Sequence, residues 1–186
     1  GEIRDQDTAK TAIQASITGH LVLSSFHANS TSAAFSRMID LIGVNPIFST
    51  AIRLLIAQRL VRRLWDDSKE PYDPDEATKS YVRSVLQNLP EHIERPNLDT
   101  FKLYRPVPTD DVPFGYKGRI VLMEMMVIND AISEFLRGGV ADAQTDKIES
   151  TARASGMLTL EQVGVLAALR GETTLEELGA GAPNEA

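Results

Sequence analysis

A short run of mostly apolar residues sets the predicted architecture: His20-Leu21-Val22-Leu23-Ser24-Ser25-Phe26. Gly19 precedes this run, and a polar cluster at 29–32 follows it. Short apolar runs bounded by turn-forming residues are typical of buried strands. The sequence therefore predicts a buried strand over residues 20–26.

Helical patterns flank this strand on both sides. Before it, apolar residues recur at helical spacing up to about Thr18, and either Asp5 or Asp7 is a suitable N-cap. After it, a second helix is expected, with either Asn29 or Ser30 as its cap. This helix–strand–helix order predicts an α/β fold with a parallel sheet.

The stretch from 52 to 64 fits two kinds of structure. Its residues form a strand face or a helix face: Leu54, Ile56, Leu60 and Leu64 for the strand, and Ile52, Leu55, Ile56, Arg59 and Leu60 for the helix. Periodicity alone leaves both open. Pro46, ahead of this stretch, is suited to the first turn of a short helix.

The composition changes after Trp65, where residues 66–75 become acidic and contain prolines. Turn-forming residues and apolar spacing then predict the remaining elements. In chain order these are a helix over 76–89, a short strand over 103–105, a buried strand over 119–127, helices over 129–137, 141–155 and 160–170, a short helix from Thr174 and a frayed tail over 179–186.

The composition excludes several classes of protein. The chain has 186 residues, a formal net charge of −7, 42% hydrophobic residues and no cysteine. No apolar stretch reaches the ~18 residues that a membrane-spanning helix needs. The absence of cysteine excludes disulfides and cysteine-ligated zinc or iron–sulfur sites, and it fits an intracellular location. The acidic balance argues against nucleic-acid binding driven by net charge.

Acidic groups lie before the first predicted helix, and imidazole groups lie on either side of the predicted strand. Glu2 and Asp5 precede the first helix, where helix capping is the ordinary role and contact with Mg²⁺ or water is the functional alternative. His20 and His27 flank the predicted strand, and His27 follows its carboxyl end, where ligands bind in open α/β sheets. A lone histidine there is more often structural than functional.

Other candidate sites are weaker. Arg59, Arg62 and Arg63 form a basic cluster that fits a solvated face, a phosphate contact or an arginine reaching across a subunit boundary. The run 123–126 is expected to be core packing with one polar position. The chain contains no G-x-S-x-G elbow, which rejects a serine-hydrolase triad at Ser24, and no G-x-x-x-x-G-K-[ST] phosphate loop.

Three segments together resemble one protein family. They are Gly1-Glu2-Ile3-Arg4-Asp5 with Thr8-Ala9 and the stretch Thr18 to His27; Ala57-Gln58-Arg59-Leu60-Val61-Arg62-Arg63-Leu64; and Gly115-Tyr116-Lys117-Gly118-Arg119 with Glu124 after it. They resemble segments of the secretion ATPases, in particular the hexameric ATPases of type II secretion and type IV pilus assembly. They also follow one another in the same order as in that family. The closing segments at 156–157 and 171–174 resemble the C-terminal end of that family.

The resemblance implies the C-terminal part of a RecA-like P-loop ATPase domain, with a small inserted segment and a C-terminal helical subdomain. Its implied divisions are 1–64 for the ATPase core, 65–114 for an inserted segment replacing a zinc knuckle, 115–128 for a returning core strand, 129–178 for the helical subdomain and 179–186 for a flexible tail. It also favours a short helix followed by a core strand within 52–64.

The resemblance assigns site residues as well. Glu2 matches the acidic residue of the Walker B motif and is expected to act catalytically on the attacking water or on Mg²⁺. His27 matches the second histidine of the histidine box and is the other expected catalytic residue, near the γ-phosphate. The expected nucleotide-binding residues are Arg4, His20, Arg59, Arg62 and Arg63. The three arginines at 59–63 are expected near a subunit interface, with none assigned as an arginine finger.

The chain also departs from the family pattern. The phosphate loop, the Asp box and most of the Walker B strand belong upstream of Gly1, so the chain is expected to be a piece of a longer protein that binds ATP weakly or not at all by itself. The zinc-knuckle positions are Trp65, Ser68, Pro108 and Asp111, and none is a cysteine. An apolar substitute is expected there, folded round Trp65, Tyr72 and the helix over 76–89.

The resemblance implies a motor that hydrolyses ATP, with Mg²⁺ and without zinc, to drive pilus assembly or type II secretion. The implied assembly is a homo-hexamer in the cytoplasm, bound peripherally to an inner-membrane platform protein and not to nucleic acid. The alternative is a non-catalytic oligomerisation or docking module of the same fold. The pilus-retraction branch also lacks the zinc knuckle, but the segment 115–119 and the long insertion before it favour the assembly or secretion branch.

Overall fold

The computed structural model describes residues 1–138 and 144–179. The chain divides into two compact units, Gly1–Ala57 with Glu124–Met157 and Gln58–Met123 with Leu158–Ala186. The five divisions predicted from the sequence stay predictions. Of the last one, the tail over 179–186, only residue 179 is among the described residues.

Two capped helices begin the first unit. Helix α1 spans Gln6–Ile17, and the carboxylate of its N-cap Asp5 accepts a hydrogen bond from the Thr8 amide at 2.8 Å. Helix α2 spans Thr31–Ile42, and the hydroxyl of its N-cap Ser30 accepts a hydrogen bond from the Ala33 amide at 3.1 Å. The structure thus resolves both open choices of cap, because each cap satisfies an amide of the first helical turn.

Three more helices belong to the described part of the first unit. A 3-10 helix spans Pro46–Thr50, as Pro46 predicts, α4 spans Asp130–Arg137 after its cap Asn129, and α5 spans Thr145–Ala154. Residues 141–143 of the helix predicted over 141–155 lie outside the described residues. The core of this unit contains Phe35, Ile132, Leu136 and Ile148, whose side chains are fully buried.

The buried strand predicted over 20–26 is wrong. This segment is extended, but it makes only one isolated parallel bridge, between Glu2 and Ser25, where the Ile3 amide donates to the Ser25 carbonyl at 3.0 Å. Leu21 is 89% exposed and Leu23 is 82% exposed. An apolar run becomes a buried strand only where neighbouring segments cover it, and among the described residues only the stretch at 1–3 pairs with it. The predicted parallel sheet is therefore limited to that bridge.

Two long strands contain two of the three points at which the chain passes from one unit to the other. Strand β1 spans Leu54–Leu64, and its partner β4 spans Tyr116–Val127. The prediction of a strand within 52–64 is confirmed, whereas the short helix that the resemblance favours there is wrong, because the only helix nearby is the one at 46–50. Leu54, Ile56 and Leu60 are each about half exposed, whereas Val61 and Leu64 are buried, so the expected core strand is confirmed only for the C-terminal end of β1.

Strand β4 is half-buried instead of fully buried. Leu122, Glu124 and Met126 are buried, while the alternating residues Met123 and Met125 are exposed. This is the period of two that a strand shows when one face packs and the other does not. The prediction of core packing for 123–126 therefore holds only for Met126, and the single polar position, Glu124, is one of the buried residues.

The second unit holds the inserted segment. Strand β2 spans Glu70–Tyr72 and pairs antiparallel with β3, Leu103–Arg105, which places Glu70 opposite Arg105. β3 confirms the short predicted strand, but β2 was not predicted, because its proline and acidic neighbours indicate a loop.

Two α-helices and a 3-10 helix also belong to the described part of the second unit. Helix α3 spans Glu76–Val85, shorter than the predicted 76–89, and begins at its cap Asp75. Helix α6 spans Leu160–Leu169, where Thr159 and Gln162 form a reciprocal capping box. A 3-10 helix follows at Glu176–Leu178.

An apolar core occupies the segment where the family's zinc knuckle is expected. Val82, Leu86 and Leu103 are buried against Val165 of α6, with Tyr72 packed at the edge of this cluster. Tyr72 and the helix thus pack into an apolar cluster as expected, while the replacement of a zinc knuckle by this segment stays a prediction. Trp65 lies outside this cluster, and its ring instead receives the Lys117 ammonium at 3.9 Å from the centroid.

Two glycines have similar backbone geometry, but replacing each by alanine is expected to cost different amounts of folding stability. Gly115 has φ +70°, and an added Cβ would lie 2.7 Å from the Val107 backbone nitrogen. Gly118 has φ +77° and open space around it. We expect Gly118→Ala to cost about 1 kcal/mol from the left-handed backbone alone. Gly115→Ala is expected to cost about 2–3 kcal/mol, because the steric clash adds to that strain. Urea unfolding of both variants measures the difference, and equal costs would refute the close approach at Gly115.

Candidate functional site

The parallel bridge positions the two predicted catalytic residues. It joins Glu2 to Ser25, two residues before His27, and the Ser24 hydroxyl donates to the Gly1 carbonyl beside it. Residues 1–3 therefore run alongside the end of the 20–26 segment. Helix α1 starts directly after this bridge, so Asp5 is occupied as its cap and does not face His27 in any contact that the structure shows.

Glu2 contacts two basic side chains at once. Its Oε2 accepts a hydrogen bond from Arg4 Nε at 2.7 Å, and its Oε1 lies 3.3 Å from His27 Nδ1. The Glu2 side chain is 25% exposed, whereas those of Arg4 and His27 are 78% and 95% exposed. We call these residues the Glu2–Arg4–His27 cluster. Its carboxylate is partly enclosed, while its basic groups are open to solvent.

The charge state of Glu2 follows from these neighbours. The hydrogen bond from Arg4 is the largest influence, and together with the smaller contribution of His27 it outweighs desolvation and holds the Glu2 pKa below its usual value. The carboxylate is therefore ionised at neutral pH. An ionised carboxylate that is partly shielded can accept a proton or hold a water molecule.

His20 lies at the other end of the extended segment. Its Nδ1 is 3.3 Å from the Thr18 hydroxyl oxygen, and the residue is exposed. Among the described contacts, none joins His20 to the Glu2–Arg4–His27 cluster. Its nucleotide-binding role stays a prediction from the resemblance.

The three arginines of the predicted cluster, Arg59, Arg62 and Arg63, belong to the second unit. Of the three, Arg62 makes the most described contacts. The Arg62 side chain pairs with Glu177 Oε1 through Nη2 at 2.6 Å and Nε at 2.9 Å, and its backbone amide donates to Glu177 Oε2 at 2.8 Å. Its guanidinium also lies 4.2 Å from the centroid of the Tyr116 ring. This arginine is therefore held on both sides by its own chain.

The other two arginines also have partners within the chain. Arg59 donates to the backbone carbonyls of Glu177 and Leu178 at 2.9 Å and 3.0 Å, and Arg63 pairs with Asp66 at 2.9 Å. Arginine bound in this way must exchange a partner before it can bind phosphate. Nucleotide binding by Arg59, Arg62 and Arg63 stays a prediction.

Glu177 anchors the last 3-10 helix to β1. Burial of its side chain opposes ionisation, but the hydrogen bonds from Arg62 outweigh that effect and lower the Glu177 pKa. Glu177 was not predicted, because it lies 115 residues from Arg62 and no local pattern connects the two.

Removing this carboxylate tests the anchor. We expect Glu177→Ala to destabilise the protein by about 1–2 kcal/mol. This value is lower than for a fully buried pair, because Arg62 is half exposed and solvent screens its attraction to Glu177. Glu176→Ala removes a neighbouring charge with no hydrogen bond among the described contacts and is the matched control. Thermal unfolding of both variants gives the comparison; an equal loss would mean that Glu177 contributes only charge.

A buried carboxylate holds the start of α2. Glu124 is 4% exposed, and its Oε1 accepts hydrogen bonds from the Thr31 amide, at 2.9 Å, and from the Thr31 hydroxyl. An anion is favoured at this position, because a helix N-terminus presents unpaired amides and the positive end of its dipole. The segment carrying His27 joins α2 here, so Glu124 fixes the end of that segment.

The described residues contain no other evident site. No group of three or more His, Cys, Asp or Glu suited to a metal ion lies within 1–138 and 144–179. In these same ranges every helix is too short or too polar to span a lipid bilayer.

Comparison with known families gives one match over almost the whole chain. The sequence profile described as Type II/IV secretion system protein matches residues 1–180. Type II secretion system protein E of Xanthomonas campestris pv. campestris is 39% identical over 180 residues, which cover 96% of this chain and 30% of that protein. The type IV pilus assembly ATPase PilB of Pseudomonas aeruginosa is 36% identical, over 96% of this chain and 29% of that protein. The chain thus spans about 30% of the length of these relatives.

Solved structures show the same fold at low identity. The ATPase DotB of Yersinia pseudotuberculosis matches with a TM-score of 0.58 at 14% identity, over 96% of this chain and 34% of that chain. DotB of Legionella pneumophila matches with a TM-score of 0.52 at 16% identity, over 96% and 36%. These matches confirm a mixed α/β fold that corresponds to about a third of each ATPase.

Proposed function

Because the chain belongs to the Type II/IV secretion system protein family, we propose that it is the C-terminal, hydrolytic part of an ATPase that drives type IV pilus assembly or type II secretion. The observation that carries this proposal is the Glu2–Arg4–His27 cluster, in which an ionised carboxylate and an imidazole meet at the end of one extended segment. The names of the relatives supply the reaction class, and the cluster supplies groups suited to it.

Glu2 orients the attacking water. Its carboxylate has one oxygen bonded to Arg4 and the other facing His27, so a water molecule that replaces the 3.3 Å contact to His27 would donate to Oε1. The lowered Glu2 pKa keeps this acceptor deprotonated. Positioning and charge neutralisation are the main contributions of protein groups to phosphoryl transfer.

His27 and Arg4 supply hydrogen-bond donors beside Glu2, and Arg4 also supplies positive charge. The His27 ring is almost fully exposed, and its Nε2, which makes no described contact, can reach a phosphate oxygen while Nδ1 faces Glu2. Arg4 keeps its Nε on Glu2 and leaves the rest of its exposed guanidinium for an anion. When bound, Mg²⁺–ATP supplies the phosphoryl group; the carboxylate oxygens of Glu2 suit Mg²⁺ directly or through water.

The remaining polypeptide must supply the phosphate-binding loop. None of the 186 residues forms a G-x-x-x-x-G-K-[ST] motif, and the relatives are about three times as long as this chain. The exposure of Leu21 and Leu23 supports the same division, because an apolar segment with free edges suits a strand that pairs within a larger sheet. We therefore assign catalysis to the whole protein and not to this chain alone.

The proposed assembly is a homo-hexamer that works in the cytoplasm against an inner-membrane platform protein. The relatives include proteins of both pilus assembly and type II secretion, which supports a motor at the membrane without choosing between the two systems. Nucleotide-driven closure between subunits would convert hydrolysis into movement of that partner.

A nucleotide titration tests this division of labour. We expect the full-length protein to bind a fluorescent ATP analogue with Mg²⁺ at micromolar concentration and to hydrolyse ATP. The 186-residue chain is expected to show no tight site, because it lacks the phosphate loop. A full-length protein that binds but never turns over ATP would favour the alternative of a docking module, and tight binding by the chain alone would refute the proposed division.

A further inference from the structure

We propose that Arg37 is a positioning residue that holds His27 in place for ATP hydrolysis, an inference that rests on the proposed function. The observation behind it is a hydrogen bond from Arg37 Nη1 to the His27 carbonyl at 2.9 Å. Arg37 does not contact Glu2 in any described interaction, so it acts through the backbone of His27.

The placement of His27 depends on its backbone. Its side chain is 95% exposed, and its only described contact is the one with Glu2 at 3.3 Å. A ring that is so little packed cannot be oriented by core contacts. Whatever fixes the main chain at residues 26–27 therefore fixes the range of positions that the imidazole can occupy.

Arg37 contacts both of these residues. In addition to its bond to the His27 carbonyl, its guanidinium lies 5.4 Å from the centroid of the Phe26 ring. A planar guanidinium can stack on an aromatic face while its edge donates a hydrogen bond. The two contacts together restrain two consecutive residues at the end of the extended segment.

Arg37 itself is carried by a fixed helix. Phe35 and Ile39, on either side of it in α2, are buried in the core of the first unit. The start of α2 is held by the bonds from Thr31 to the buried Glu124 carboxylate. The guanidinium is therefore attached to a rigid support, as positioning of a catalytic group requires.

A double-mutant cycle in the full-length protein tests this inference. We expect Arg37→Ala to lower kcat for ATP about 10-fold with KM changed by no more than about twofold, because misplacement of a reacting group affects the chemical step. Arg37→Lys is expected to recover most of kcat, since an ammonium can donate to the carbonyl and lie over Phe26. Arg153→Ala, which removes a partly exposed arginine paired with Glu149 on α5, is the matched control and should leave kcat unchanged.

The decisive variant combines Arg37→Ala with His27→Ala. If Arg37 acts through His27, its effect disappears once His27 is absent, so the double variant has the kcat of His27→Ala alone. The same fold loss in both backgrounds, or no loss with Arg37→Ala alone, would overturn the inference. A His27→Ala variant with normal turnover would instead refute the proposed role of His27, and the Arg37 inference with it. Should Arg37→Ala fail to fold, Arg37→Gln carries the same cycle with the same two outcomes.

Discussion

Glu2→Gln in the full-length protein is expected to lower kcat for ATP hydrolysis by about 100- to 1,000-fold while nucleotide affinity stays the same. The amide keeps the size of the side chain but removes the negative charge that Arg4 stabilises and that would orient the water. Steady-state turnover, together with a titration of a fluorescent ATP analogue on the same preparation, separates these two effects.

The control for this variant is Asp7→Asn. Asp7 is an exposed acid in the first turn of α1, so the change removes the same charge from nearby without touching Glu2, Arg4 or His27. We expect it to leave kcat within about twofold of the wild-type value. Equal turnover of Glu2→Gln and Asp7→Asn would remove Glu2 from the mechanism.

Glu124→Ala is expected to cost about 3–5 kcal/mol of folding stability. The substitution removes a buried side chain, leaves the Thr31 amide without its carboxylate acceptor and leaves the Thr31 hydroxyl only the weak Met157 sulfur acceptor. Chemical unfolding of the full-length protein and of the 186-residue chain measures this cost. A loss below about 1 kcal/mol would show that water or another group replaces the carboxylate.

Ser32→Ala is the matched control for this prediction. Ser32 follows Thr31 in the same turn and is equally buried, but its hydroxyl has no hydrogen-bond partner in the structure. Removing an unpaired buried hydroxyl is expected to be neutral or slightly stabilising. The contrast between the two variants distinguishes a buried polar contact from burial alone.

The local parts of the fold could be predicted from the sequence, because their causes are local. Asp5 and Ser30 cap α1 and α2 through amides three residues away, and Thr159 forms a capping box over the same distance. The burial of the segment at 20–26 could not be predicted in this way. Whether an apolar run is covered depends on which segments lie beside it, and within 1–138 and 144–179 this run makes a single bridge.

The candidate site was only partly predictable. Glu2 and His27 follow from the resemblance to a family, and the parallel bridge explains why residues so far apart in sequence meet. Glu124 was recognised as a polar position in a methionine-rich strand, but its partner Thr31 lies 93 residues away, beyond the range of any pattern. Arg37 gave no signal in the sequence, because a basic residue on a helix is ordinarily part of a solvated face.

The Glu2–Arg4–His27 cluster is most directly tested by a structure of the full-length protein bound to Mg²⁺ and a non-hydrolysable ATP analogue. We expect the Glu2 carboxylate to lie within about 3 Å of a water molecule that faces the γ-phosphate, and His27 to be within hydrogen-bond reach of the phosphate directly or through one water. A γ-phosphate more than about 10 Å from both residues, beyond the reach of one bridging water, would contradict their assignment to the hydrolytic site.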